Sequence, residues 1–204
     1  MRLIPPPRPH DSAGFTLVEV LVTIFVTAVG LLTVAGLQAA SKKVGYETAQ
    51  RTAAAALAQD MVERIRAVSS NALVSDANKA TYLGNILTDD ATAITSSTDC
   101  ASSVCTLSQL AGWDLRQWGQ KLLGNEEKIG SDAVGGLISP TGCVKKIGSK
   151  YRVVVAWRSF NNTQTKLAST EDGNDDCGST KDAYRDPDSG TADAVRQYIV
   201  IEFV

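Results

Sequence analysis

The chain has 204 residues with 20 Lys or Arg against 22 Asp or Glu, a formal net charge of −2. Both signs are interspersed and no basic block occurs, so composition suggests no nucleic-acid surface. The only histidine, His10, lies within the first 14 residues, which leaves Ser-His-Asp and Cys-His catalysis without a base in the rest of the chain.

Residues 1–14 hold Arg2, Arg8 and the run Pro5-Pro6-Pro7. Proline lacks a backbone donor and blocks helix propagation, so this stretch is expected to be extended. Arg2, Arg8 and the α-amino group favour a cytoplasmic N-terminus. Lys42 and Lys43, just past the far end of the apolar run, weaken that argument, and the cysteines decide it in favour of an exported C-terminal part. Gly14-Phe15-Thr16-Leu17-Val18-Glu19-Val20-Leu21 follows, and no charge occurs from Val20 to Leu37. Some ~20 helical residues at ~1.5 Å each span ~30 Å, the thickness of a bilayer's hydrocarbon core. Glu19 at the start of that run is costly and needs a reason. An ordinary secretory signal, cut near Ala39-Ala40, fits less well. The run is too long, it carries an acid in its first turn, and its periodicity continues past Ala40.

One helix is predicted from Phe15 to about Val68, with no proline in it. Beyond Gln38 it becomes amphipathic, with Val44, Ala49, Ala53, Ala56, Leu57, Val62, Ile65 and Val68 as the apolar set. Arg51, Gln59, Asp60, Glu63, Arg64 and Arg66 fall on other faces. At ~1.5 Å per residue such a helix is ~80 Å long, more than a globular domain needs, so part of it is buried in a bilayer or against other copies. Gly30 and Gly36 each weaken the helix by ~1 kcal/mol relative to Ala. They suit either close helix packing or a place where the helix can stretch.

From Ser69 to Asp99 the sequence reads as loop, with a short helix before Tyr82. Thr106-Leu107-Ser108-Gln109 fits a capping box that opens a helix to about Leu123, with Leu107, Ala111, Leu115, Trp118 and Leu122 on one face. Trp113 and Trp118 at helical spacing read as packing rather than as a ligand-stacking pair. Ala133–Ile138 is a candidate strand. Lys150–Arg158 alternates, with Tyr151, Val153, Val155 and Trp157 on one face, and Val195–Val204 puts Val195, Ile199, Ile201 and Phe203 on one face. Residues 159–193 between them form a long acidic loop.

Four cysteines, Cys100, Cys105, Cys143 and Cys177, all lie beyond the apolar run, which suggests disulfides in an oxidising compartment. Of three connectivities the preferred one is Cys100–Cys105, a short local loop, with Cys143–Cys177 tying the acidic loop to the sheet. Zinc is disfavoured, since no C-x-x-C pair exists and no histidine follows the apolar run. Glu171–Asp176 and Asp186–Gly190 lack the glycine and distal glutamate of an EF-hand, and read as solvated loop. No phosphate-binding loop follows Gly173–Gly178, and nothing selects a catalytic carboxylate pair. No enzyme activity, cofactor or metal is expected.

The stretch from Gly14 to Leu37 resembles the class III signal of type IV pilins and type II secretion pseudopilins. Gly30-Leu31-Leu32-Thr33-Val34-Ala35-Gly36-Leu37-Gln38 and Leu57–Ala67 narrow the resemblance to the type IV pilus modification protein (PilV) family of minor pilins. The Cys100/Cys105 pair, Asp114-Leu115 with Trp118, and Tyr151–Trp157 also fit that family. The resemblance is dense over residues 14–68 and sparse beyond. Two departures stand out: Ser12-Ala13 precedes Gly14 where many pilins have Lys or Arg, and Gly36 stands where major pilins often have proline.

The resemblance implies an α+β, type IV pilin-like fold, with a long N-terminal helix, transmembrane then amphipathic, packed on a small antiparallel β-sheet head. It implies a leader at 1–14, a transmembrane and polymerisation helix at 15–37, an amphipathic helix at 38–70 and a disulfide-containing head at 71–204. Prepilin peptidase would cut between Gly14 and Phe15 and methylate the new amine of Phe15. The mature charge becomes −3, from 18 basic residues (20 less Arg2 and Arg8) and 21 acidic (22 less Asp11). Glu19 would pair with the N-terminal amine of a neighbouring subunit. The implied partners are prepilin peptidase, other minor pilins, the major pilin and the inner membrane, with the head periplasmic before the subunit reaches the pilus. The expected function is a minor pilin in a tip-located priming complex. The alternatives are a minor pseudopilin of type II secretion and an adhesive tip module using the loop at 159–193.

Overall fold

The computed structural model describes residues 14–69, 82, 98–160, 177–178, 181–192 and 194–204. The leader up to Ala13, the short helix expected before Tyr82 and the acidic stretch Glu171–Asp176 lie outside the described residues. The chain divides into two compact units, Met1–Val44 and Gly45–Val204.

Helix α1 runs Leu17–Ser69. In the first unit its apolar side chains are exposed on every face, from Phe15 through Phe25 and Leu32 to Leu37. Three threonines interrupt this surface, and each donates its hydroxyl back into the helix: Thr23 to the carbonyl of Val20 (2.9 Å), Thr27 to that of Thr23 (2.7 Å) and Thr33 to that of Val29 (2.9 Å). Their donors are satisfied internally, so the segment can enter an apolar medium without an orphaned hydroxyl.

The second unit has its own core. On α1 the buried positions are Gln50, Ala54, Ala58, Met61, Val62, Ile65 and Val68. The stripe expected from the sequence is therefore partly mis-phased: Val44, Ala49 and Ala56 are exposed, and Ala54, Ala58 and Met61 are buried in their place. Alanine occurs on every face of this stretch and buries too little area to mark the inner one.

Helix α2, Leu107–Leu123, begins as the sequence predicts. Thr106 Oγ1 accepts the N–H of Gln109 (3.3 Å), and Thr106 N–H donates to Gln109 Oε1 (2.9 Å). It ends at Gly124, whose left-handed φ of 71° favours glycine and whose missing Cβ leaves room for the Gly135 carbonyl. Ala111, Leu115, Trp118 and Leu122 turn inward onto α1, and Trp118 Nε1 donates to the Leu57 carbonyl at 2.8 Å.

A two-stranded ribbon follows, β1 (Lys128–Ile129) and β2 (Asp132–Ala133). The strand expected over Ala133–Ile138 is cut to its first residue. Gly136 has a φ of 89°, and Leu137 N–H turns back to the Leu122 carbonyl at 2.9 Å, so the chain leaves the extended path after the ribbon.

The main sheet is antiparallel with order β3-β4-β5: β3 Thr141–Ile147, β4 Lys150–Arg158 and β5 Arg196–Phe203. Register pairs Val144 with Val153 and Val153 with Ile201, which sets Val144, Tyr151, Val153, Val155, Trp157 and Phe203 on the helices. The other face is covered too. Cys143, Val154 and Cys177 form a second small core with Tyr198 against it. Here the Cys143–Cys177 disulfide (Cα–Cα 5.9 Å) holds Cys177 to the sheet, and Arg196 donates to the Cys177 carbonyl at 2.8 Å. Tyr184 OH reaches the Ser139 carbonyl (2.8 Å) and Thr141 Oγ1 (2.9 Å). The second disulfide, Cys100–Cys105, closes a local turn ahead of α2.

Two stability predictions follow from this packing. A Cβ at Gly142 would stand 2.5 Å from the Trp118 ring and 2.9 Å from Leu122 Cδ1. The indole is tethered to Leu57 and cannot easily give way. Gly142→Ala is expected to destabilise the head by about 1–3 kcal/mol, read as a lower unfolding midpoint of the full chain in detergent. Replacing Cys143 and Cys177 by Ser opens a link spanning 34 residues in sequence. The chain-entropy cost is about 3–4 kcal/mol, against about 2 for Cys100→Ser with Cys105→Ser, and denaturant melts of the two double variants should rank in that order.

Candidate functional site at the start of the apolar helix

Thr16-Leu17-Val18-Glu19 has the spacing of a capping box. Thr16 Oγ1 accepts the N–H of Glu19 at 3.3 Å, and the Thr16 carbonyl accepts from Val20 N–H at 3.3 Å. Thr16 therefore caps α1 and fixes Glu19 in its first turn, where the helix dipole favours an anion. The sequence reading does not single out Thr16, although its spacing to Glu19 carries the signal.

Around that carboxylate the surface is apolar: Phe15 is 84 % and Leu17 75 % exposed, and Val18, Val20 and Leu21 are exposed as well. Among the described residues nothing pairs with Glu19. A Cβ at Gly14 would meet nothing within 4 Å, and the same holds at Gly30 and Gly36. Among the described residues no packing requires these glycines. Helix α1 is long and apolar enough to cross a membrane.

In the second unit a different group of charges converges. Arg64 donates through Nε to Asp60 (3.1 Å) and through one terminal nitrogen to Asp114 Oδ1 (2.8 Å) and Gln117 Oε1 (3.1 Å). Tyr82 OH donates to the other Asp114 oxygen at 2.7 Å. Burial alone would lower the Arg64 pKa, but Asp60 and Asp114 outweigh it and hold the guanidinium above its ordinary value. Burial first, then the bond to Asp114, pushes the Tyr82 phenol well above the usual tyrosine range. The network ties α1, α2 and the loop residue Tyr82 together. Both Asp114 oxygens face donors, so it is a structural clamp. The sequence reading places Asp60 and Arg64 off the apolar face, names Asp114 only as part of the family resemblance and Tyr82 only as a loop landmark, and does not link them.

The remaining predicted features lie apart from both places. Trp118 is core, and Trp113 carries the Arg116 guanidinium 4.2 Å from its ring centroid. In the Asp186–Gly190 turn, Asp186 accepts from Asp188 N–H (2.9 Å) and Ser189 Oγ (2.8 Å), which engages both carboxylate oxygens locally. Among the described residues no three His, Cys, Asp or Glu side chains are grouped to hold a metal ion.

Comparison with known families agrees with this geometry. The model for the prokaryotic N-terminal methylation motif matches residues 9–35, the stretch that holds Gly14, Phe15, Thr16 and Glu19. The model described as type IV pilin Tt1218 matches residues 36–116, from the middle of α1 into α2. The chain is a type IV pilin-like protein. The pilin's long apolar helix and small antiparallel sheet are the type IV pilin fold. Its methylation motif implies processing by a prepilin peptidase and makes it a component of a pilus or pseudopilus. No curated protein and no solved structure matches the pilin.

Proposed function

We propose that this pilin is a minor subunit of a type IV pilus, of the pilus modification (PilV) kind, which enters a priming complex with other minor pilins. The observation that carries the proposal is Glu19: a carboxylate, unpaired among the described residues, in the first turn of a capped helix whose surroundings are otherwise apolar and exposed. Such a charge is tolerated in an apolar environment when an opposite charge meets it there. Cleavage between Gly14 and Phe15 supplies one, a new and methylated amine at Phe15. That amine on one subunit pairs with Glu19 of the next. In this reading residues 1–14 are the leader, 15–37 the inner-membrane and polymerisation segment, 38–70 the amphipathic half of the helix and 71–204 a head on the periplasmic side.

Deleting the gene, then counting pili and assaying type II secretion in the same strain, tests the assignment. The expected result is few or no pili with secretion intact. Normal piliation with lost secretion would assign the subunit to a pseudopilus. Removing residues 161–176 alone, which spares Cys177 and its bond to Cys143, separates assembly from adhesion: lost adhesion at normal pilus number would make the head a binding module.

A further inference from the structure

In the second unit, strand β4 ends at a cleft of about 310 Å³. Small-molecule sites run from ~300 to ~1,000 Å³, so this one has room for a single ring. Its walls are tied by backbone bonds. Arg158 N–H donates to the Ile138 carbonyl (2.9 Å) and Ser159 N–H to that of Val195 (2.8 Å). The facing turn is closed by Asp186 N–H to the Thr191 carbonyl (3.0 Å) and by Gly190 N–H to the Asp186 carbonyl (2.9 Å). The cleft is formed before anything enters it, which lowers the ordering cost of binding.

The Arg158 guanidinium and the Asp188 carboxylate both line this cleft, and neither has a partner among the described residues. Asp186 lines it too, but its carboxylate already accepts from Asp188 N–H and Ser189 Oγ. The lining thus combines one cation with two carboxylates. A bare anion would meet the carboxylates, and a bare cation the guanidinium. A small zwitterion would meet both free charges, but it must lose the hydration of two charges of its own. A neutral polyol meets both without that cost, because a hydroxyl donates to a carboxylate and accepts from a guanidinium. The rest of the lining narrows the class. Ile138, Pro187 and Val195 make an apolar wall, and Phe160 stands beside them, 56 % exposed. Its ring is held 5.3 Å from that of Tyr46, so it offers a fixed, flat apolar surface. A hexose has the matching form, with C–H groups on a ring face and hydroxyls around the edge.

We infer that Arg158, Asp188 and Phe160 form a binding site for one neutral hexose. Phe160 packs on the C–H face of the ring, and Arg158 and Asp188 take hydroxyls on its edge. The site belongs to the head alone and is independent of the assembly role proposed above.

The experiment titrates the full chain, in micelles of a detergent without a sugar headgroup, with the methyl glycosides of glucose, galactose and mannose. Backbone amide NMR is the readout. At least one glycoside should move the amides of Arg158, Phe160 and Asp188 saturably, with the Kd of ~1 mM usual for a ligand of this size. The amide of Ser149, in the β3–β4 turn, should stay in place. Asp188→Asn and Phe160→Ala should each weaken binding about tenfold. The Asp188 side chain holds no contact of the fold and Phe160 is exposed, so both variants should keep the wild-type spectrum away from the cleft. Four results overturn the inference. One is no saturable shift with any of the three glycosides. Another is an equal shift with glycerol, which has hydroxyls and no ring. A third is a shift with free alanine and none with a glycoside, which would make the cleft a zwitterion site. The last is glycoside binding that neither variant weakens, which would put the sugar elsewhere. The pilus assignment is read from the gene deletion and stands or falls separately.

Discussion

Replacing Glu19 by Ala is expected to give a subunit that is cleaved after Gly14 as before but no longer supports piliation. In the proposed reading, cleavage depends on the bond between Gly14 and Phe15 and on the apolar helix that delivers it, and Glu19→Ala leaves both in place. Assembly depends on what happens to the new amine. In an apolar filament interior that amine needs a counter-charge, and removing the carboxylate leaves it buried and unpaired at a cost of about 3–5 kcal/mol. Thr16 still caps the helix, because its hydroxyl bonds the backbone N–H of residue 19 and not the side chain. The helix should therefore form equally well in the variant, which separates loss of pairing from loss of fold. Glu19→Gln sharpens the test: it keeps size and polarity and removes only the charge, and it should fail almost as completely. Processing is read from the mass shift on leader removal, and assembly from pilus counts. Normal pilus number in Glu19→Ala would remove the charge pair from the account. A block in cleavage would instead place Glu19 in recognition by the peptidase.

Why the N-terminal half is so legible, and the head less so, has a physical cause. The membrane segment is specified by composition, since a bilayer asks for length, apolarity and satisfied backbone groups. All three can be counted along the chain from Val20 to Leu37. The head is specified by contacts between distant residues. The inner stripe of α1 depends on which side meets α2 and the sheet, and with alanines on every face the sequence offers little contrast between Ala54 and Ala56. Helix α2 was readable because its signals are local: the Thr106–Gln109 box, the apolar face and Gly124. Asp114 sits between Ala111 and Leu115 on that inward face, and a carboxylate among core positions is the mark of a buried partner. The partners, Arg64 and Tyr82, lie 50 and 32 residues away and cannot be assigned from spacing. Strand β4 shows the same limit. Its alternation identifies the face on the helices, but Val153-Val154-Val155 is also a continuous apolar run, the pattern of a strand covered on both sides. The cover on the second side comes from around Cys177, brought there by a disulfide and not by a neighbouring strand.

Outside the hydrophobic core and the disulfides, the largest stability effect should come from Asp114. Its two oxygens take the Arg64 guanidinium and the Tyr82 hydroxyl, and its side chain is 12 % exposed with that of Arg64 at 19 %. Asp114→Ala leaves the buried phenol without an acceptor and Arg64 with only Asp60 and Gln117. The expected loss is about 2–4 kcal/mol, because the stranded donors keep their desolvation cost after the acceptor has gone. Asp114→Asn retains an acceptor without the charge and should lose less, about 1–2 kcal/mol. The contrast is Arg66→Ala, which breaks an ion pair with Glu63 whose side chains are 53 % and 70 % exposed. That pair is screened by water and should be worth no more than ~0.5 kcal/mol. Tyr82 adds a dependence on pH. Its folded pKa is raised, so the phenol is neutral in both states below about pH 10, and above that value the unfolded chain ionises while the folded one does not. The stability associated with the neutral phenol is therefore present below about pH 10 and lost as the pH rises beyond it. Tyr82→Phe removes this alkaline loss, and Asp114→Ala should weaken it by taking away the bond to the carboxylate. Denaturant melts of the full chain in detergent, followed by tryptophan fluorescence at neutral pH and again above pH 10, measure both effects. An Asp114→Ala midpoint no lower than that of Arg66→Ala would mean that the three residues share no clamp. An alkaline limb unchanged in Tyr82→Phe would mean that the phenol is free to ionise in the folded head.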